Sequence, residues 1–246
     1  MDVESPPSGR TGRPRRSPRA PLDGEPRAEI LAVATRLFAE RGVTASTMAE
    51  IARRSGLQQS SLYYYFRNKE QVLDEIVAEA NRAPLALVEQ VRADGGALAV
   101  QLYRIIRADV MALCALPYDL NEVHRLAARD PASFDRYWRE RDRLVSEVAA
   151  VIADGTARGE LRDVEPRIAA LTVLANDEGT QNWMRAGERG RARPAAGPSR
   201  AGLGGPHAVG SFLADLTVRG LLVESGRLES IRNLADALDA RAMLDP

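Results

Sequence analysis

Cysteine, histidine and lysine are nearly missing from this chain of 246 residues. Its one cysteine, Cys114, cannot close an internal disulfide, which fits a reducing compartment, so a cytoplasmic protein is expected. Two histidines, His124 and His207, make no metal site of familiar spacing, so neither a metal nor another cofactor is expected. No apolar run is long enough to span a bilayer, and the arginine-bearing N-terminus lacks the apolar segment of a secretory signal. A glycine-rich phosphate loop and a nucleophile elbow are also absent. No catalytic residue is therefore assigned, and an enzyme is not expected.

What is present reads as a globular protein with enough chain for a small domain and a larger one. It is 45% hydrophobic and 28% charged. The formal charge is zero, but residues 1–69 hold 12 Lys and Arg against 7 Asp and Glu, a net of +5. Residues 70–246 therefore carry −5. A basic end on an acidic body suits a nucleic-acid-binding head on a body that does not touch nucleic acid. Among the cations, Lys69 is the only lysine.

Residues 1–25, rich in Pro, Ser, Gly and Arg, predict a disordered arm. Within it, Arg10, Arg13, Arg15 and Arg16 surround a Gly-Arg-Pro core that resembles an AT-hook. Such an arm suits a narrow A·T-rich minor groove, although a solvated tail has the same composition. Apolar residues at helical spacing then predict a first helix over 26–41, ending at Gly42. A second helix starts at Thr47, which forms a capping-box pair with Glu50, and ends at Gly56. A third covers about 58–66, with Leu62 and Phe66 one turn apart on its buried side. Asn68 caps a fourth, with Gln71 at the partner position, and Pro84 is expected to interrupt or kink it. Further helices are expected at about 97–116, 118–129, 130–157, 166–185, 209–223 and 228–243, with a Gly-, Pro-, Ala- and Arg-rich flexible loop at 186–208. The fold class is all-α.

The first three helices, joined by the turn around Gly56, have the pattern of a helix-turn-helix unit. Three stretches carry a family resemblance. They are Leu37-Phe38-Ala39-Glu40-Arg41-Gly42, then Thr47-Met48-Ala49-Glu50-Ile51-Ala52, then Ser61-Leu62-Tyr63-Tyr64-Tyr65-Phe66 with Asn68-Lys69-Glu70. Together they resemble the DNA-binding domain of TetR-family regulators, over about a fifth of the chain. The resemblance implies a helix-turn-helix domain at 26–70 and a helical domain for effector binding and dimerisation at 71–246.

Consecutive helical residues lie ~100° apart, so Tyr63, Tyr64 and Tyr65 cannot all face one core. With Leu62 and Phe66 inside, Tyr63 and Tyr64 are expected to be at least partly exposed and free to meet thymine methyls, sugars or phosphates. Gln58 and Gln59 open the same helix, where glutamine can pair with adenine. Ser60 and Ser61 suit phosphate. The resemblance also implies phosphate contacts for Thr47 and for Lys69. Many family members carry a base-reading cation where this chain has Ala49, which cannot hydrogen-bond through its side chain.

In the body, Tyr103, Arg107, Tyr118, Asn121, His124, Trp138, Asn176, Glu178, Asn182 and Trp183 are polar or amphipathic residues on largely apolar helices. They are the candidates for an effector pocket. Phe212, Leu213 and Leu216, with Gly220 permitting close approach, are the candidates for a dimer interface; an internal core would use the same stripe. The expected protein is a homodimeric transcriptional repressor. Its partners are a double-stranded, pseudo-palindromic DNA operator and a small, mainly apolar effector, and no membrane is involved. The alternatives are an activator, an effector-independent DNA binder, and a non-DNA-binding protein or enzyme on the same fold.

Overall fold

The helix starts are set by short polar side chains placed where free backbone N–H groups need acceptors. Thr47 accepts from the Glu50 N–H at 3.2 Å, and Asn68 accepts from the Gln71 N–H at 2.8 Å. Neither capping box closes as the spacing predicts. The Glu50 carboxylate turns to Arg53 and Arg54, and the Gln71 side chain accepts from the Arg67 N–H, one residue before the cap.

The computed structural model describes residues 26–184 and 204–242. Among them are ten α-helices, which we number in chain order: α1 Pro26–Arg41, α2 Met48–Arg54, α3 Gln59–Tyr65, α4 Lys69–Asp94, α5 Leu98–Ala115, α6 Leu120–Arg129, α7 Asp135–Ala157, α8 Pro166–Met184, α9 Pro206–Leu221 and α10 Leu228–Ala242. Short 3-10 turns, Pro131–Phe134 and Ser225–Arg227, lead into α7 and α10. The only β-type pairing among the described residues is a single antiparallel bridge between Leu161 and Leu222. The expected arm, with Arg10, Arg13, Arg15 and Arg16, lies outside the described residues. So do positions 186–203 of the expected loop, Met243, and the side chain of Trp183.

Two expectations are corrected. Of the interruption or kink expected at Pro84, the interruption does not occur, because α4 continues through it. The expected loop also ends sooner than 208, because α9 begins at Pro206. Proline's fixed φ and missing N–H suit the first turn of a helix, where that N–H would have no partner.

The helices bury two apolar cores. The first joins α1, α2, α3 and the start of α4 through Ile30, Leu37, Phe38, Ile51, Leu62, Phe66 and Leu73. It does not stop at the helix-turn-helix unit: Leu120 and Val123 of α6, with Phe134 and Tyr137, complete it. The second centres on α5, which is buried along nearly its whole length against α4, α7, α8, α9 and α10. The α5–α9 contact needs a glycine at 210, where a Cβ would come within 2.9 Å of the Arg107 carbonyl oxygen. Ion pairs hold α10 in place. Arg104 reaches Asp94 and Asp239, and Arg107 reaches Asp236 and Asp239.

Candidate DNA-reading face and effector cavity

The recognition helix α3 is pinned from behind. Leu62 and Phe66 are fully buried. From α1, the Arg27 guanidinium donates to the Tyr65 carbonyl at 2.9 Å, lies 4.4 Å from the centre of the Phe66 ring, and pairs with Glu75 of α4. What remains outward is the face the sequence singles out. Thr47, Gln58, Gln59, Ser60, Ser61, Tyr63 and Tyr64 are all exposed, and Tyr64 is 84% exposed. Tyr65 is half-buried and meets Tyr64 edge-to-face, with ring centres 5.2 Å apart. On α2, Ala49 is also exposed and leaves that part of the face without a hydrogen-bonding side chain.

Lys69 has a position that its expected role does not foresee. Its ammonium donates to the carbonyls of Val43 at 2.9 Å and Ser46 at 3.0 Å, with Thr44 at 3.5 Å. These carbonyls belong to the turn between α1 and α2. Three acceptors around one point suit a compact ammonium better than a planar guanidinium, which gives a physical reason for one lysine in an arginine-rich chain. The N–H groups of the same turn face Glu122 of α6, which accepts from Val43 N at 3.1 Å, Thr44 N at 2.9 Å and Thr44 Oγ1 at 2.6 Å. Gly42 makes room for this approach. Its φ is +82°, and a Cβ there would lie 3.4 Å from the Glu122 carboxylate. The turn that carries α2 and α3 is thus clasped by α4 through its carbonyls and by α6 through its amides.

Behind α6 lies the polar interior of the body. Gln181 of α8, fully buried, accepts from Leu120 N at 2.8 Å and donates to the Leu113 carbonyl at 2.6 Å, tying the α5–α6 connection to α8. One turn along α6, His124 approaches Glu178 at 3.4 Å and stacks on Trp138. Glu178 also accepts from Arg141 of α7 at 2.5 Å. Burial pushes the Glu178 carboxyl up to about 7 and the His124 imidazole down to about 4. Next to them, burial lifts Asp109 to about 6, and burial with the Asp109 charge lifts Asp177 well above the carboxylate range. Two like charges cannot both be kept in so dry a site, so the pair holds a proton between them.

A cavity of about 30 Å³ opens within this cluster, between α4, α5, α7 and α8 and beneath the start of α6. Asn81, Asp109, Arg141 and Glu178 form its polar walls, and Pro84, Leu113, Leu116, Leu120 and Leu144 are among its apolar ones. Of the sequence candidates, only Glu178 lines it. His124 and Trp138 stand behind Glu178, as does Tyr137, whose ring meets both.

The other candidates are elsewhere, for local reasons. Tyr103 bonds Asp215 of α9 at 3.1 Å, and Arg107 is consumed by the α10 ion pairs. Tyr118 is buried in the head core and edges an outer groove. Asn121 bonds Asp119 at the start of α6. Asn176 and Asn182 are exposed. Sequence reasoning missed Asn81, Asp109, Arg141, Asp177, Gln181 and Glu122 as working residues. The one signal available was charge inside apolar stretches, at Asp109 and in the run 177–181.

On the outside of α8 and α9, Ile168, Leu171, Phe212 and Leu216 are exposed, Phe212 by 64%. Ile168 and Leu216, with Gly220, line an apolar groove of about 600 Å³. Leu213, expected in the same interface, instead packs in the core.

Comparison with known proteins adds the following. Residues 30–76 match the family described as bacterial regulatory proteins, tetR family. Residues 101–196 match the tetracyclin repressor-like C-terminal domain. A 78-residue stretch is 36% identical to the HTH-type transcriptional regulator AcrR of Shigella flexneri, covering 31% of this chain and 36% of AcrR. A 51-residue stretch is 47% identical to the HTH-type transcriptional repressor KstR2 of Rhodococcus jostii strain RHA1, covering 21% of this chain and 25% of KstR2. The matches thus span between a quarter and about a third of these relatives. Among solved structures, AibR in complex with isovaleryl coenzyme A and operator DNA superposes with a TM-score of 0.59 at 19% identity. It covers 80% of this chain and 98% of the AibR chain, a likeness of fold.

Proposed function

The chain belongs to the TetR family of bacterial transcriptional regulators, and from that premise we propose that it is a ligand-responsive repressor. It grips a pseudo-palindromic operator as a homodimer and is released by a small effector. Residues 26–70 are the reading head, residues 71–246 the body, and residues 1–25 a minor-groove arm. The observation that carries DNA reading is the exposed row Gln58, Gln59, Ser60, Ser61, Tyr63 and Tyr64 on a helix whose other side is locked by Leu62, Phe66 and Arg27. A rigid helix with polar and aromatic side chains outward fits a major groove.

A second copy of the chain is the occupant we assign to the apolar face of α8 and α9. Ile168, Phe212 and Leu216 are each more than half exposed. Large apolar patches of this kind mark association surfaces. The dimer places two heads on one side of the duplex, about 34–36 Å apart.

The effector enters between α4, α5, α7 and α8, with a largely apolar surface against Leu113, Leu116, Leu120 and Leu144. In its present form the cavity holds no more than a water-sized group. A larger molecule must displace Leu116 and Leu120, and so the start of α6. Glu122 then moves against the turn that carries α2 and α3, changing the spacing of the two heads. A coupling of ~1–3 kcal/mol suffices to shift operator occupancy. AibR, whose solved complex holds a coenzyme A ester and operator DNA, supports this class of action.

Anisotropy binding to DNA upstream of its own gene and neighbouring genes, at two salt concentrations, tests the reading. The expected result is binding to one palindromic segment that weakens steeply with salt. Binding indifferent to salt, or to no segment, refutes it.

A further inference from the structure

The cavity beneath α6 is biased in charge. Two carboxyl side chains line it, Asp109 and Glu178, with one guanidinium, Arg141, and that guanidinium is already paired with Glu178. Among the described residues no further cation lines the cavity. We propose that the effector of this chain carries a cationic head, an ammonium or amidinium on a compact apolar body, which seats against Asp109 and Glu178. This deepens the regulator reading and rests on it.

Hydrogen bonding adds a second requirement, an acceptor on the effector. Asn81 is only 8% exposed and lines the cavity, yet its amide nitrogen finds no partner among the described residues. A purely apolar occupant would seal this nitrogen away from water with no partner. An anionic occupant would meet two carboxylates at close range, with Arg141 engaged. A cation that also offers one acceptor, to Asn81, satisfies more of the site than either. The cavity volume of about 30 Å³ suits an ammonium-sized group, so the apolar part must push between Leu116, Leu120 and Leu144.

Without a cation, protons take its place. Glu178 is faced by Arg141 and Tyr137 of α7 and His124 of α6, and by Asp109 of α5 and Asp177 of α8. Burial raises Asp109, Asp177 and Glu178, so this cluster by itself holds at least one proton at neutral pH. An entering cation ionises Glu178, which lines the cavity, and its proton passes to solvent. Cation binding must therefore release protons and tighten as pH rises.

The test uses the full chain and matched probes: hexylammonium, hexanol and hexanoate, with benzylammonium, benzyl alcohol and benzoate as a second set. Calorimetry at pH 6 and pH 8, in buffers of different ionisation enthalpy, reads affinity and proton release. Operator anisotropy is measured on the same samples. The expected result is that each cation binds at least tenfold more tightly than its neutral twin at pH 8 and more weakly at pH 6. It releases a proton, more fully at pH 6 than at pH 8, and lowers operator affinity. Glu178→Gln should reduce the discrimination between cation and neutral twin severalfold; the pH and proton readouts need no variant. Equal or tighter binding of the alcohol or the carboxylate in both sets, no proton release, or cation binding without effect on the operator would each overturn the proposal. If the cations bind as stated but no DNA segment does, the site stands and the regulator reading falls.

Discussion

Glu50 in the head and Glu178 in the body are the same residue in similar company. Glu50 sits between Arg53 and Arg54 at the surface, and Arg53 beside it holds its carboxylate down to about 2. Glu178 sits between Arg141 and His124 in the interior, and burial pushes it up to about 7. Water decides the difference. Where it reaches both partners, an arginine stabilises the charge; where it is excluded, the cost of desolvation outweighs the same arginine. The head therefore shows its charges and hides an apolar core, whereas the body hides charge inside its core.

The hardest test of that contrast is Arg141→Ala. It leaves three buried carboxyls with no guanidinium, and the expected loss is roughly 3–5 kcal/mol in chemical denaturation. In the head, Arg53→Ala should leave the denaturation midpoint where it was. Comparable losses from the two changes would erase the distinction between the regions.

Next in size is Glu122→Ala. It strips the Val43 and Thr44 amides of their acceptor, for an expected ~1–3 kcal/mol, and it should also blunt the operator response to any ligand that stabilises the body. An intact response would mean that head and body communicate by another route.

Tyr64→Ala should lower operator affinity about tenfold, equivalent to ~1.4 kcal/mol, with an unchanged melting temperature. A large drop in melting temperature would show that the tyrosine belongs to the core.

The smallest expected effect is that of pH on the body. A carboxyl whose pKa is higher in the folded state takes up a proton on folding. Glu178 therefore stabilises the fold in acid, and this contribution is lost as pH climbs from its ordinary 4.5 through about 7. His124, lowered from 6.5 to about 4, acts in the opposite sense, weakening the fold as pH falls through that window. Between pH 6.5 and 8 the Glu178 sign should prevail. The unfolding free energy of the wild type, relative to Glu178→Gln, should fall by roughly 1 kcal/mol over that interval. A rise would mean that Arg141 keeps Glu178 ionised.

The same contrast explains what the sequence makes legible. The Thr47 and Asn68 caps, the Leu62–Phe66 pair and the outward Tyr63 and Tyr64 follow from spacing within one helix, where 3.6 residues per turn decides the face. The cavity does not, because its walls come from different helices. That Asp109 meets Asp177, or that Glu122 reaches across 79 positions to Val43, depends on how helices dock, which no local period records. Tyr103 and Arg107 were attractive as pocket residues because polar groups stood on an apolar helix. Their partners, Asp215, Asp236 and Asp239, lie more than a hundred positions away. Pro84 teaches the same lesson in reverse: a local breaker is tolerated within α4, where it walls the cavity.

Lys69 has a last consequence, which is chemical. Its ε-amine is the only one in the chain, and it is engaged by the carbonyls of Val43 and Ser46. An acylating reagent aimed at primary amines thus has a single side chain to find, and it can react only when that amine lets go. The rate at which this one position is acylated, followed by mass spectrometry, becomes a clock for the opening of the α1–α2 turn. Operator or ligand that tightens the clasp should slow the clock, and one that loosens it should speed it up.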